Sequence, residues 1–311
     1  MLPVYFAPLQ GFTEAPYRRI HNEVCGGVVA YYTPFIRLEH GQIRKKDLRE
    51  ALPENNVGVR VVPQVIASDA SEFVTLAKKL IEVGHKVIDV NMGCPFPLQT
   101  RLGRGSGILQ HTDKAVGILH EVENLQKEVE GLRFSVKMRL GQESPEECFA
   151  LIDALNALEL EHITLHPRVG RDQYRGELDM ESFGRFYEAS ANPIVFNGML
   201  ASAEDIAAVE KLFPKLAGVM IGRGLLSRPT LAWEYSEDRH LTDDEVRQKV
   251  LDMHRCLLAH YETAIEGGEK QLVMKMHSFW EYLEPLFGHK TVKKIMKSGS
   301  LRNYREAVAN C

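Results

Sequence analysis

The sequence lacks any apolar run near the 18 or so residues that a membrane-spanning helix requires, because Pro, Arg, Asp or Gly interrupts every candidate. A bilayer-spanning protein is therefore not expected. It also lacks a basic segment followed by a long apolar one at its start. Met1-Leu2-Pro3-Val4-Tyr5-Phe6-Ala7-Pro8 reads as a first strand and not as a secretory signal, which leads to the expectation of a cytoplasmic protein. Paired cysteines are missing as well. The five cysteines, Cys25, Cys94, Cys148, Cys256 and Cys311, are odd in number and far apart, without a C-x-x-C pair or a Cys/His cluster at zinc spacing, so neither a disulfide scaffold nor a bound metal is expected. Low-complexity segments are absent too, and 44% hydrophobic with 26% charged residues is the composition of a folded globular chain.

An excess of positive charge is likewise missing overall. With 38 basic and 42 acidic residues the net charge is −4, which argues against a general nucleic-acid binder. The charge is unevenly spread, however. From Gly288 to Cys311 the bases Lys290, Lys293, Lys294, Lys297, Arg302 and Arg305 face the single acid Glu306, which gives a basic C-terminal segment on an otherwise acidic protein.

What the sequence does contain is a repeat of short strands and longer helices. Strand-like runs occur at Val4 to Pro8, Val28 to Tyr32, Val59 to Ile66, Val87 to Asn91, Ser135 to Arg139, His162 to His166, Pro193 to Asn197 and Gly218 to Ile221, eight in all. Helical periodicity fills the gaps at Ser71 to Val83, Asp113 to Val129 and Ala203 to Phe213. Ser144-Pro145-Glu146-Glu147 and Ser202 with Asp205 read as helix starts. Eight βα units of this size fit an α/β fold, a parallel (β/α)8 TIM barrel. Past the eighth strand, the polar stretch Trp233 to His240 and the capping box Thr242 to Glu245 place a boundary near residue 240. The expectation is a barrel over 1–240 and a small C-terminal α-helical domain over 241–311 that carries the basic segment.

Active sites of such barrels lie at the C-terminal strand ends, and several ends here are polar. The fourth reads Asn91-Met92-Gly93-Cys94-Pro95 and opens a loop with Arg101, Arg104 and three glycines. A thiol there, protonated at neutral pH, could swing over a ligand and donate a proton. Lys137 and Arg139 end the fifth strand on the same face. His166 and Arg168 end the sixth, Asn197-Gly198 the seventh and Gly222-Arg223-Gly224 the eighth, the last of these suited to a phosphate. With Gln64 on the third strand, they describe a pocket for a phosphorylated cofactor.

These pieces, in this order, resemble the tRNA-dihydrouridine synthase family, specifically its bacterial, FMN-dependent members: Ala7-Pro8-Leu9 with Gly11, Gln64, Asn91-Met92-Gly93-Cys94-Pro95, Lys137-Met138-Arg139, His166 with Arg168, Asn197-Gly198 and Gly222-Arg223-Gly224. Lys275 to Leu283 is similar, more loosely, to the family's helical tRNA-binding segment. The sequence departs from the family pattern at Leu9, Pro167, Met199 and Asp172-Gln173. The resemblance implies that FMN is bound by Ala7, Pro8, Leu9, Gln64, Lys137, His166, Asn197, Gly198, Met199, Gly222 and Arg223. It implies that Cys94 protonates C5 of a uracil while the flavin N5 delivers hydride to C6, with NADPH as the electron donor. It further implies that Asn91, Arg139 and Arg168 line the substrate pocket and that tRNA phosphates follow Arg101, Arg104, Lys275, Lys290, Lys293, Lys294 and Lys297. A monomer without metal is expected. The competing readings are an FMN-dependent reductase or dehydrogenase of free pyrimidines and a non-catalytic flavin- or RNA-binding barrel.

Overall fold

The computed structural model describes residues 1–311. Eight barrel strands run β1 (Val4–Phe6), β2 (Ala30–Tyr32), β3 in two halves (Val61–Val62 and Gln64–Val65), β4 (Val87–Met92), β5 (Arg133–Gly141), β6 (Ile163–Val169), β7 (Ile194–Phe196) and β8 (Gly218–Ile221). All neighbouring pairs are parallel, in the order first half of β3, β2, β1, β8, β7, β6, β5, β4, second half of β3. The expected TIM barrel is therefore present, and helices follow its last strand.

The third strand differs from the unbroken run expected over Val59 to Ile66. Pro63 divides it, because a proline has no N–H to give to the ladder. The first half pairs with β2 and the second with β4, while the Pro63 carbonyl accepts the Asp89 N–H at 2.9 Å. The two halves thus close the cylinder. Strands β5 and β6 are also longer than expected and run on together past a register shift between Arg139 and Gly141. His166 lies within β6 as expected, and the extension brings Arg168 into the strand as well.

Helix starts follow the local chemistry. Ser202 and Asp205 form a reciprocal capping box on helix Ala203–Leu212, and Thr242 and Glu245 form another on Asp243–Ala264. Around Ser144 the outcome is two short helices, Glu146–Phe149 and Ile152–Asn156. There the Glu147 carboxylate turns back to accept N–H groups of Gln142, Glu143 and Ser144.

After β8 the chain passes through helices Arg223–Ser227 and Leu231–Ser236 into Asp243–Ala264, Gly268–Trp280, Glu284–Phe287, His289–Met296 and Leu301–Val308. These share one continuous apolar cluster with the outside of the barrel, from Phe73 through Met253 and Leu257 to Trp280. Polar ties reinforce the junction: Arg228 donates to both oxygens of the buried Glu234 (2.8 and 2.9 Å) and to Asp243, and Lys249 donates to the Val24 carbonyl. No helix is long and apolar enough to cross a membrane.

The centre of the C-terminal helices is a buried polar trio. Trp280 Nε1 donates to the Tyr304 hydroxyl (2.8 Å), and Tyr304 lies 2.6 Å from His254 Nε2. A hydroxyl that has accepted the indole N–H donates onward to a neutral imidazole, and burial lowers the His254 pKa to about 4, which keeps the ring neutral. Tyr304→Phe strands both partners in the core. The expected loss is roughly 1–3 kcal/mol of unfolding free energy by urea titration; a loss below about 0.5 kcal/mol would show that the trio contributes no net stability.

Candidate active site

At the C-terminal ends of the strands the barrel opens into a cavity of about 740 Å³. Ala7, Pro8 and Leu9 after β1, Asn91, Gly93 and Cys94 at the end of β4, Lys137 and Arg139 of β5, and His166 of β6 form much of its wall. Asn197, Gly198 and Met199 after β7 and Gly222 and Arg223 after β8 complete the barrel side, and Glu281, Tyr282 and Pro285 contribute from the C-terminal helices. Nearly all the residues expected from the strand ends therefore converge on one space, which alternation along parallel strands of a closed barrel requires.

Beneath the wall runs a directed hydrogen-bond chain. Asp89, fully buried, accepts from Ser135 Oγ and from Gln64 Nε2, each at 2.6 Å. Gln64 Oε1 accepts from Asn91 Nδ2 (2.7 Å), and Asn91 Oδ1 accepts the N–H groups of Gly93 (3.0 Å) and Cys94 (2.9 Å). Gln64 thus lies under the cavity and not on its wall. The Cys94 turn is clamped from the other side as well: Arg139 Nε donates to the Gly93 carbonyl (3.1 Å), and the Ser106 N–H donates to the Cys94 carbonyl (3.0 Å). Gly93 and Gly105 permit these approaches, since a Cβ on Gly93 would stand 3.2 Å from Met138 and one on Gly105 2.4 Å from the Cys94 carbonyl. The backbone of the cysteine is therefore hydrogen-bonded from both sides.

The electrostatics of the wall are cationic and lightly paired. Burial raises the Cys94 thiol above its ordinary value despite Arg139 and Lys137 nearby, so it is protonated at neutral pH. Burial and the adjacent Arg139 lower Lys137 to about 8 against the opposing Asp89, and its Nζ donates to Asn197 Oδ1 at 2.8 Å. Asn197 in turn donates to the Met220 carbonyl. His166 is pushed well below its usual value by burial and by Arg139, Lys137, Arg168 and Arg223, so it is neutral, with Nδ1 buried and unpaired. Arg168, expected to line the substrate pocket, is buried behind the wall and not part of it; it donates to the Gly176 carbonyl and touches Met199 Sδ, and its Nε and Nη1 have no partner. Burial raises Asp89 to about 7.

Other residues expected to bind RNA fall elsewhere. Arg104 does not line the cavity; its Nε and Nη2 donate to the two oxygens of the Glu72 carboxylate, and Nη2 also donates to the Leu38 carbonyl. Lys275 is paired with Glu14 at 2.8 Å, which ties helix Gly268–Trp280 to the β1 loop. Arg101 is exposed without an ion pair, as are Lys290, Lys293, Lys294 and Lys297 on and after helix His289–Met296.

The sequence reading missed Asp89, which the period-2 step back from Asn91 could have found. It gave no role to Tyr174, an exposed ring lying 4.6 Å from the Arg223 guanidinium and 5.4 Å from that of Arg139. Two departures from the family pattern have strained backbone with positive φ: Gln173 (φ 51°), next to Tyr174 in the chain, and Met199 (φ 46°), which lines the same cavity.

A family model described as dihydrouridine synthase matches residues 5–310. The tRNA-dihydrouridine synthase B of Escherichia coli (strain K12) is 26% identical over 293 residues, covering 93% of this chain and 83% of the relative. The protein of the same name from Pasteurella multocida (strain Pm70) is 28% identical over 229 residues, covering 73% and 67%. Among solved structures, histamine dehydrogenase from Rhizobium sp. 4-9 aligns with a TM-score of 0.57 at 13% identity, over 82% of this chain but only 48% of that one. Morphinone reductase aligns at 0.53 and 11% identity, over 77% of this chain and 87% of that one. At such identities these two structures share the fold alone. The sequence match, by contrast, runs from β1 to the last helix and takes in the whole cavity wall, and on that basis the chain belongs to the dihydrouridine synthase family.

Proposed function

We propose that this protein reduces a uridine of tRNA to 5,6-dihydrouridine, with FMN in the barrel mouth and Cys94 as the proton donor. The observation that carries the reading is a protonated thiol fixed on a cationic cavity wall in a chain of this family.

The residues present fit a phosphorylated flavin. The cavity has the volume for such a ligand, and its wall offers the buried His166 ring, whose Nδ1 has no partner, the Lys137 amine, and the Arg223 guanidinium after β8. Lys137 and His166 would face the electron-rich part of the ring system, and Asn197, Gly198, Gly222 and Arg223 would hold the phosphate side, with Ala7, Pro8, Leu9 and Met199 as further walls. Bound FMN, re-reduced by NADPH, would supply the hydride that goes to C6 of the uracil. Cys94 holds the proton for C5 because its burial disfavours the thiolate. Asn91 and Arg139, with Arg168 behind the wall, would orient the base, which must leave its stack for C5 and C6 to be reached. Arg101 and the four exposed lysines would meet tRNA phosphates, with Arg104 and Lys275 bracing the loops through their carboxylate partners. The chain would act as a barrel over 1–240 with a helical tRNA-binding part over 241–311, in the cytoplasm, as a monomer.

In nucleoside mass spectrometry of tRNA incubated with protein and NADPH, the wild type is expected to add two hydrogens to uridine, and Cys94→Ala is expected to keep bound flavin and its reduction while forming no product. Turnover of orotate or uracil instead of tRNA would move the protein to the free-pyrimidine class, and flavin loss in Cys94→Ala would make the cysteine structural. Since the thiolate is the nucleophile and burial holds the thiol above its usual range, alkylation of Cys94 followed by peptide mass spectrometry is expected to be slow at pH 7 and still rising beyond pH 9. A rate already level by pH 8 contradicts a protonated donor. Replacing Lys290, Lys293, Lys294 and Lys297 together with Ala is expected to weaken tRNA binding and to lower the log–log salt slope by roughly 0.7 to 0.9 for each phosphate that is no longer neutralised. Equal affinity at low salt would remove the basic face from the binding surface.

A further inference from the structure

We infer that Asp89 is a positioning residue for the Cys94 turn, acting through Gln64 and Asn91 to dictate which way each amide points. It makes no contact with the cavity and lies entirely inside the barrel. Its influence comes from the arithmetic of donors and acceptors. A carboxylate only accepts, and each primary amide has one accepting and one donating end. With Asp89 accepting at both oxygens, from Ser135 and Gln64, the Gln64 amide must aim its nitrogen down and its oxygen up toward Asn91. Asn91 must then spend its nitrogen on Gln64 and leave its oxygen to the Gly93 and Cys94 N–H groups. Reversing any one amide would set donor against donor at the next link, and the last link to fail would be the turn that carries the thiol.

The register of the barrel holds this chain together. Gln64 is the ladder partner of Asp89, and Asp89 that of Ser135. All three side chains therefore project into the same layer of the interior. Tyr32 and Lys137 are the other ionisable groups whose charge or hydroxyl bears on Asp89. A protonated Asp89 still has a carbonyl oxygen for Gln64, so the orientation survives its titration.

The test separates direction from charge. An asparagine at position 89 can offer its oxygen to Gln64 and its nitrogen to Ser135, whose hydroxyl accepts as well as donates. Asp89→Asn preserves the chain, whereas Asp89→Ala severs it. In hydrogen exchange by mass spectrometry on the full chain, the Gly93 and Cys94 amides of Asp89→Ala are expected to exchange about five- to tenfold faster, the worth of one hydrogen bond, with β6 amides unchanged and Asp89→Asn matching the wild type. If Asp89→Ala does not fold, Gln64→Met cuts the same chain one link later and is expected to give the same local increase. Unchanged exchange at the turn in the severed variants would overturn the proposal. Equal loss of protection in Asp89→Asn and Asp89→Ala would overturn it in favour of a charge effect. The consequence for turnover rests on Cys94 being the proton donor, but the exchange readout needs neither flavin nor RNA, so the two ideas fail separately.

Discussion

Barrel closure at Pro63 is the constraint on which the site depends. A parallel barrel closes in one register, and here the closing joint puts Gln64 opposite Asp89 and Val65 opposite Val90. A slip of one residue would turn Gln64 outward and bring an aliphatic side chain against the buried carboxylate. The proline makes the joint possible: without an N–H, it lets the first half of β3 finish its pairing with β2 before the second half begins with β4. Its carbonyl still takes the Asp89 N–H, so the backbone beneath the carboxylate remains satisfied.

The upper part of the barrel trades stability for readiness. Lys137, Arg139 and Arg168 lie close together, yet their hydrogen-bond partners there are neutral: Asn197, the carbonyls of Gly93, Val169 and Gly176, and the Met199 sulfur. Carboxylates would neutralise the cluster more effectively, but none accepts from these three side chains. Arg168 Nε has no partner, and clustered cations with neutral acceptors repel one another, a cost that an anionic or electron-rich ligand removes on binding. Burial, reinforced by the same field, keeps His166 neutral. The Cys94 thiol stays protonated in that field because desolvation outweighs the cations, so the site combines a positive wall with an uncharged acid.

Much of this was legible in the sequence because it rests on two periodicities. Alternation along β4 and β5 brings Asn91, Lys137 and Arg139 to the inside, and polar strand ends in a parallel barrel mark the mouth. What escaped was set by contacts distant in sequence. Asp89 reads as an isolated acid between aliphatic residues until closure places Gln64 beside it. Arg104 and Lys275 read as free bases because Glu72 and Glu14, which hold them, belong to other elements. The exposed lysines of the C-terminal segment carry no such partner, which is why the same residue type has two fates in one chain. The proline in the third strand was visible, but its effect on pairing required knowing which two strands it stood between.

The helices after β8 bear on the site through geometry as well as charge. Glu281, Tyr282 and Pro285 form part of the cavity wall, and Lys275 reaches the β1 loop, ion-paired with Glu14 and close to the Gly11 carbonyl. Because Trp280 immediately precedes these wall residues and is anchored by Tyr304, the packing of the last helix is transmitted over a few residues to the mouth of the barrel. A ligand filling the cavity therefore touches both parts of the chain, and the position of the basic helix face relative to Cys94 is fixed by the apolar core that they share. In the proposed function that spacing would matter directly, because phosphate contacts on the basic face would set the register in which a single base reaches the Cys94 thiol.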